Sequence, residues 1–290
     1  MMRPLTSCFA LALACAVAVP DLATSGGSSS FLPSYMQVQN PMIASETWDD
    51  YLRDETVGSA VVFDGDDLMS LDAPVQAFDS ATVPFSLRQR SDTGLRITGL
   101  KVVVDENPMP LAAEFKFGEA MGEVQFEGRV RYDVFSNIRA IAQVEDGRLF
   151  MVGRFVQAAG GCSAAVSRDM AVAEASMGQM KLRHFDTSGG MQSEASGVQR
   201  EAQLLIKHPN FTGMQVHAGT LDYIDARFVD TIEVKLDDEV LFTMTGGFSI
   251  SENPAFRFTY TDTGAANMTV RAVDTNGAVF TQSFPLRSGA

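Results

Sequence analysis

The chain has 290 residues, 46% of them hydrophobic and 20% charged, which suits one large or two medium globular domains. Its net charge of −14 at pH 7 argues against nucleic acid and anionic membrane surfaces as partners, because both are gripped by basic patches. An acidic protein of this kind is suited instead to solubility and to docking on a basic partner.

Residues 1–18 read as a secretory signal peptide: Arg3 supplies the positive start, an apolar run follows to Val19, and Ala16-Val17-Ala18 is an A-x-A-like cleavage site. The run is short for a membrane span, and no other stretch is apolar enough to serve as one. Localisation is therefore expected to be periplasmic, with Cys15 in a poor lipoprotein box. Residues 19–44, rich in Ser, Gly and Pro, read as a disordered lead-in. Ser45 is placed to cap a short helix with Trp48, Tyr51 and Leu52 on one face.

From there the pattern is β. Strands are expected over residues 57–63, 69–71, 82–87, 99–104, 112–117, 123–132, 138–144 and 149–155. Alternation is clear in Ala113-Glu114-Phe115-Lys116-Phe117, and Asp146-Gly147 is a hairpin turn between two strand runs. Residues 158–165, Ala-Ala-Gly-Gly-Cys-Ser-Ala-Ala, have almost no side chain to pack. A short helix is expected over 167–178 and a long Gly/Ser-rich loop over 187–199. Strands resume at 180–185, 203–208, 231–236, 240–245, 255–260, 267–273 and 279–285. The fold class is thus all-β: two Ig-like β-sandwich domains, residues 45–160 and 179–290, joined over 161–178 by a Gly/Ala-rich cysteine arm and a short helical linker. Glu106-Asn107-Pro108 before Phe115-Lys116-Phe117 is echoed by Glu252-Asn253-Pro254 before Phe256-Arg257-Phe258, which suggests two sandwiches of related architecture.

The chain has three cysteines. Cys8 and Cys15 leave with a cleaved signal, so Cys162 would stand alone in an oxidising compartment, where a lone thiol points to reactivity or to an intermolecular bond. Gly160, Gly161 and Ser163 are expected to make a flexible arm that presents the thiol to solvent, so that Cys162→Ser would cost little stability. A linker that merely contains a cysteine is the plainer alternative. Enzyme motifs are missing: there is no Cys-x-x-Cys, no nucleophile elbow, no phosphate loop and no H-E-x-x-H. His184, His208 and His217 could be imagined as a metal site. His208 reads better as a strand end and His217 as a loop residue, so no metal and no cofactor is expected. The 15 methionines are dispersed, which fits core filling rather than copper ligation.

Taken in order, several blocks resemble known sulfur-carrier families. Asp105-Glu106-Asn107-Pro108-Met109-Pro110 leads into Ala113-Glu114-Phe115-Lys116-Phe117-Gly118. Arg129-Val130-Arg131, Asn137-Ile138-Arg139-Ala140 and Asp146-Gly147-Arg148-Leu149-Phe150 follow, and the series ends at Gly160-Gly161-Cys162. These blocks resemble SoxY. Ile206-Lys207-His208-Pro209 with Thr212-Gly213, the run from Gly247 to Pro254 and Asp274-Thr275 resemble its partner SoxZ. The fused order is most similar to quinoprotein dehydrogenase-associated SoxYZ-like carriers. The resemblance implies that Cys162 is the covalent attachment point for a sulfur-containing intermediate. It further implies that the protein is not an enzyme, that its two domains pack on each other, and that its partners are periplasmic quinoprotein dehydrogenases or sulfur-oxidation enzymes. The sequence departs from SoxY in two ways: Ser163-Ala164 stands where that family has two glycines, and the arm is internal instead of C-terminal. An Ig-like adaptor docking on a quinoprotein dehydrogenase or cytochrome, without covalent cargo, and a thiol redox sensor are the alternative functions.

Overall fold

In the computed structural model, residues 40–90, 92–166, 170–185 and 198–286 are described. The first half carries β1 (Val62–Asp64), β2 (Met69–Asp72), β3 (Val83–Gln89), β4 (Ile97–Val104), β5 (Leu111–Phe117), β6 (Gln125–Val130), β7 (Ser136–Val144) and β8 (Leu149–Val156). The second carries β9 (Met180–Phe185), β10 (Gln199–Ile206), β11 (Val229–Leu236), β12 (Glu239–Gly246), β13 (Ala255–Thr261), β14 (Asn267–Asp274) and β15 (Val279–Pro285). A short helix, Met170–Ser176, lies between them.

Alternation along β5 turns Ala113, Phe115 and Phe117 inward and leaves Lys116 outside. The same rule along the other strands gives two layers, but these do not stop at the boundary between halves. One sheet runs β1-β8-β7-β4-β5-β12-β11-β14-β15 and the other β2-β3-β6-β13-β10-β9. The halves are therefore spliced edge to edge, β5 against β12 and β6 against β13, both antiparallel. An exposed sheet edge invites pairing, and here each half caps the other's. Parallel pairing between named strands is confined to the short β1 on β8.

The splice is filled with phenylalanine. Phe115 packs on Phe126, Phe242 and Phe256 at centroid distances of 4.7, 6.3 and 5.8 Å, and Phe242 packs on Phe258 at 5.2 Å. All five rings are buried in the core shared by both halves. The rings meet mostly edge to face, the arrangement that the ring quadrupole favours.

The echoed Glu-Asn-Pro tripeptides do not mark equivalent corners. The first sits in the β4–β5 connection, within one sheet, whereas the second sits between β12 and β13 and carries the chain from one sheet to the other. What the Phe-x-Phe pairs share is their destination, the common core.

Two expected elements are corrected. Residues 57–63 are not one strand: Val57 closes a helix, Arg53–Val57, and pairing starts only at Val62. The preceding turn, Trp48–Leu52, is a π-helix, so Trp48 and Leu52 face inward while Tyr51 is exposed. Ser45 does meet the helix start, its hydroxyl accepting from Trp48 N at 3.2 Å. The expected lead-in also ends earlier than 44. Asn40 is buried and its side-chain amide donates to Phe155 O at 2.6 Å, while Ile43 exchanges backbone bonds with the Asn137 side chain. The expected signal peptide and most of the expected lead-in lie outside the described residues. Among those described, no helix is long and apolar enough to cross a membrane.

A buried ion pair ties this N-terminal helix down. Arg139 grips Asp105 with a fork, Nε to Oδ1 at 2.7 Å and Nη2 to Oδ2 at 2.8 Å, and its guanidinium lies 4.1 Å from the Trp48 ring centre. Asn137 adds a third bond to the same carboxylate at 3.1 Å.

Candidate functional site: the cysteine turn

β8 delivers the chain to one end of the sandwich, where Gln157 N donates to Val75 O at 2.8 Å. Ala158 is buried, Ala159 and Gly160 are exposed, and residues 161–163 form a turn. Gly160 takes φ +80°, a left-handed conformation costly to any residue with a Cβ. Its N–H donates to Asp133 O at 2.8 Å, and that of Gly161 to Tyr132 O at 2.7 Å. A Cβ on Gly161 would lie 2.0 Å from Ser80 O. The glycines thus bring the backbone close to its neighbours, and Gly161 is buried. The expectation of a free-standing arm at Gly160 and Gly161 is corrected on that ground: the lack of side chains is used for close approach.

The exposure of Cys162 is corrected too. Its relative accessibility is 0%, beneath a tip whose Gly160, Ser163, Ala164 and Ala165 face solvent. Burial pushes the thiol up from an ordinary 9.0 to about 12; the Asp133 carboxylate adds to the rise and the Arg131 guanidinium opposes it. In this arrangement the thiol keeps its proton and is a poor nucleophile, since the thiolate is the reactive form. Sequence reasoning judged burial from neighbours along the chain; the cover comes from residues distant in sequence.

That cover comes from both halves. Arg131, just past β6, is itself buried; its Nη1 donates to Gly161 O at 3.1 Å and its Nη2 to the carbonyls of Pro209 and Asn210, each at 3.3 Å. Thr212 Oγ1 donates to Cys162 O at 2.6 Å, and Gln215 Nε2 to Ala164 O at 3.3 Å. Val166 then pairs with the same loop, its N–H on Val216 O at 2.9 Å and its carbonyl accepting from Ala218 N at 3.1 Å. Its side chain packs with Phe211 and Ile224.

The three histidines are not brought together. His184 lies on β9, His217 is bridged to Val166, and His208 is buried beside Asp274, Nε2 to Oδ2 at 3.5 Å. Burial holds the His208 ring below its ordinary value, and Arg227 takes the nearer bond to Asp274 at 2.8 Å. Among the described residues no group of three or more His, Cys, Asp or Glu is placed to hold a metal. Arg131 and Thr212 appeared in the sequence only within longer blocks, and Gln215 gave no signal. One clue existed: Arg131 follows a buried strand end and needs several acceptors if covered.

Two family models match the chain. Sulfur oxidation protein SoxY matches residues 53–162, so that the match ends on Cys162, and sulphur oxidation protein SoxZ matches residues 188–285. A search of curated protein sequences returned no match. Among solved structures, the sulfur carrier protein SoxY from Chlorobium limicola f thiosulfatophilum is 22% identical, covering 40% of this chain and 100% of its own, with a TM-score of 0.33. The chain thus carries a region similar to SoxY followed by a region similar to SoxZ in one polypeptide.

Proposed function

We propose that the protein is a non-enzymatic sulfur carrier that holds its cargo covalently on Cys162 Sγ and presents it to partner enzymes. The observation that carries this reading is the coincidence of the two family matches with the cysteine: the SoxY match ends on Cys162, and the SoxZ-type half supplies the loop that covers it. Export to the periplasm follows from the signal-like N-terminus, and the partners are sulfur-oxidation enzymes or a quinoprotein dehydrogenase. Joining a sulfur anion to Sγ as an S–S bond releases the thiol proton and two electrons. This reading assigns the acceptor of those two electrons to the partner enzyme.

Burial of the thiol favours a second reading, an adaptor that docks on such an enzyme and carries no cargo. Intact-mass analysis of protein isolated natively from the periplasm separates the two. The carrier shows a sulfur-containing adduct that reductant removes and that Cys162→Ser lacks. An adaptor shows the bare mass, and its Cys162→Ser variant supports the pathway as wild type does.

A further inference from the structure

The carbonyls of Gly161, Cys162 and Ala164 all end on side chains: Arg131, Thr212 and Gln215. Two of the three come from one loop of the second half, and that loop is prearranged for the task. Thr212 Oγ1 accepts from Met214 N at 3.1 Å, which leaves the hydroxyl hydrogen free for Cys162 O. Gln215 Oε1 accepts from Thr212 N at 3.2 Å, which turns Nε2 toward Ala164 O. Residues 163–165 are exposed and lend no packing of their own. The strap between Gly161 and Val166 therefore rests on side-chain donors and on the burial of one cysteine.

We infer that Thr212 and Gln215 form a latch by which the SoxZ-type half controls the SoxY-type thiol, holding Cys162 covered until the strap swings out between its fixed points at Gly161 and Val166. This inference rests on the carrier reading and adds its regulation: the closed strap is the unreactive state, and cargo can be loaded only onto the open one. Thr212 and Gln215 are positioning residues that act through the strap. No strand pairing spans residues 160–165, so opening leaves both sheets intact. The charged groups that bear on the thiol, Asp133 and Arg131, stay with the first half when the strap moves.

The test follows the rate at which Cys162 of the full chain reacts with 5,5′-dithiobis(2-nitrobenzoate), from pH 7 to 10, with urea unfolding run in parallel. A net hydrogen bond of ordinary strength predicts roughly 5-fold faster labelling in Thr212→Val and a similar gain in Gln215→Ala. The pH–rate profile should also move to lower pH, because the open thiol titrates more normally. Thr212→Ser, which keeps the hydroxyl, should label like wild type. Val234→Ala, a core change in the second half away from the latch, should lower the urea midpoint without speeding labelling. The inference is overturned if Thr212→Val labels at the wild-type rate, if Thr212→Ser gains as much as Thr212→Val, or if Val234→Ala gains equally, since the thiol would then be reached by global unfolding. A missing sulfur adduct would sink the carrier reading and leave these rates untouched, so the two can fail separately.

Discussion

Along the splice the two halves meet through strand pairing in both sheets and a stack of buried phenylalanines, whereas around Cys162 they meet through a few side-chain donors on backbone carbonyls. The first contact is apolar and repeated, and can be lost only with the fold. The second is polar and local, and each bond is worth little net because water can replace it. The comparison suggests a division of labour: the splice fixes the halves as one body, so that a loop of one can serve as a dependable cover for the thiol of the other. Separate domains on a flexible linker could not hold the Cys162 and Ala164 carbonyls in register.

The strongest way to break this comparison is at the splice. Phe115→Ala should cost about 4 kcal/mol, as expected for a buried aromatic deleted from a packed core, and both halves should still unfold in one transition. Two separated transitions in calorimetry would show that the halves are only neighbours. Arg139→Met should cost about 3 kcal/mol, because Asp105 is left buried without its cation. Urea unfolding measures the loss, and proteolysis should begin at the loosened N-terminal helix.

At the strap, Gly161→Val drives a side chain into Ser80 O and should cost about 2 kcal/mol by overpacking. It should also speed thiol labelling, because the strap cannot reseat. Gly160→Ala meets nothing within 4 Å and pays only for its positive φ, so its effect should be smaller. Equal effects at the two positions would mean that Gly161 is not packed.

The contrast can also be sharpened by pH. The folded chain holds the Cys162 proton up to about pH 12, while the unfolded chain releases it near 9. Above 9 the unfolded state binds fewer protons, so stability falls as pH rises, by up to about 1.4 kcal/mol per unit until the folded value is passed; below 9 this contribution is complete. Urea midpoints of wild type and Cys162→Ser, measured from pH 8 to 11, should therefore shift in favour of the variant. Parallel midpoints would show that the thiol ionises from an open strap while the sheets stay folded.

The sequence by itself determined the strands, because inside–outside alternation and turn residues are local. β9 and β15 match the expected 180–185 and 279–285, and β5 and β8 differ by one residue at an end. It also pointed to Cys162 through chemistry that needs no neighbours: a thiol beyond the signal-like start, two glycines before it and the order of family-like blocks. Tertiary structure decided what local pattern cannot carry. Which strand edges pair is settled between residues more than 120 apart, such as Phe117 and Phe242. The reach of Thr212 and Gln215 to carbonyls some 50 positions away, and hence the burial of Cys162, follow from that pairing. A side-chain-poor stretch reads as mobile when only its chain neighbours are weighed; folded, the same absence of side chains lets distant backbone close over it.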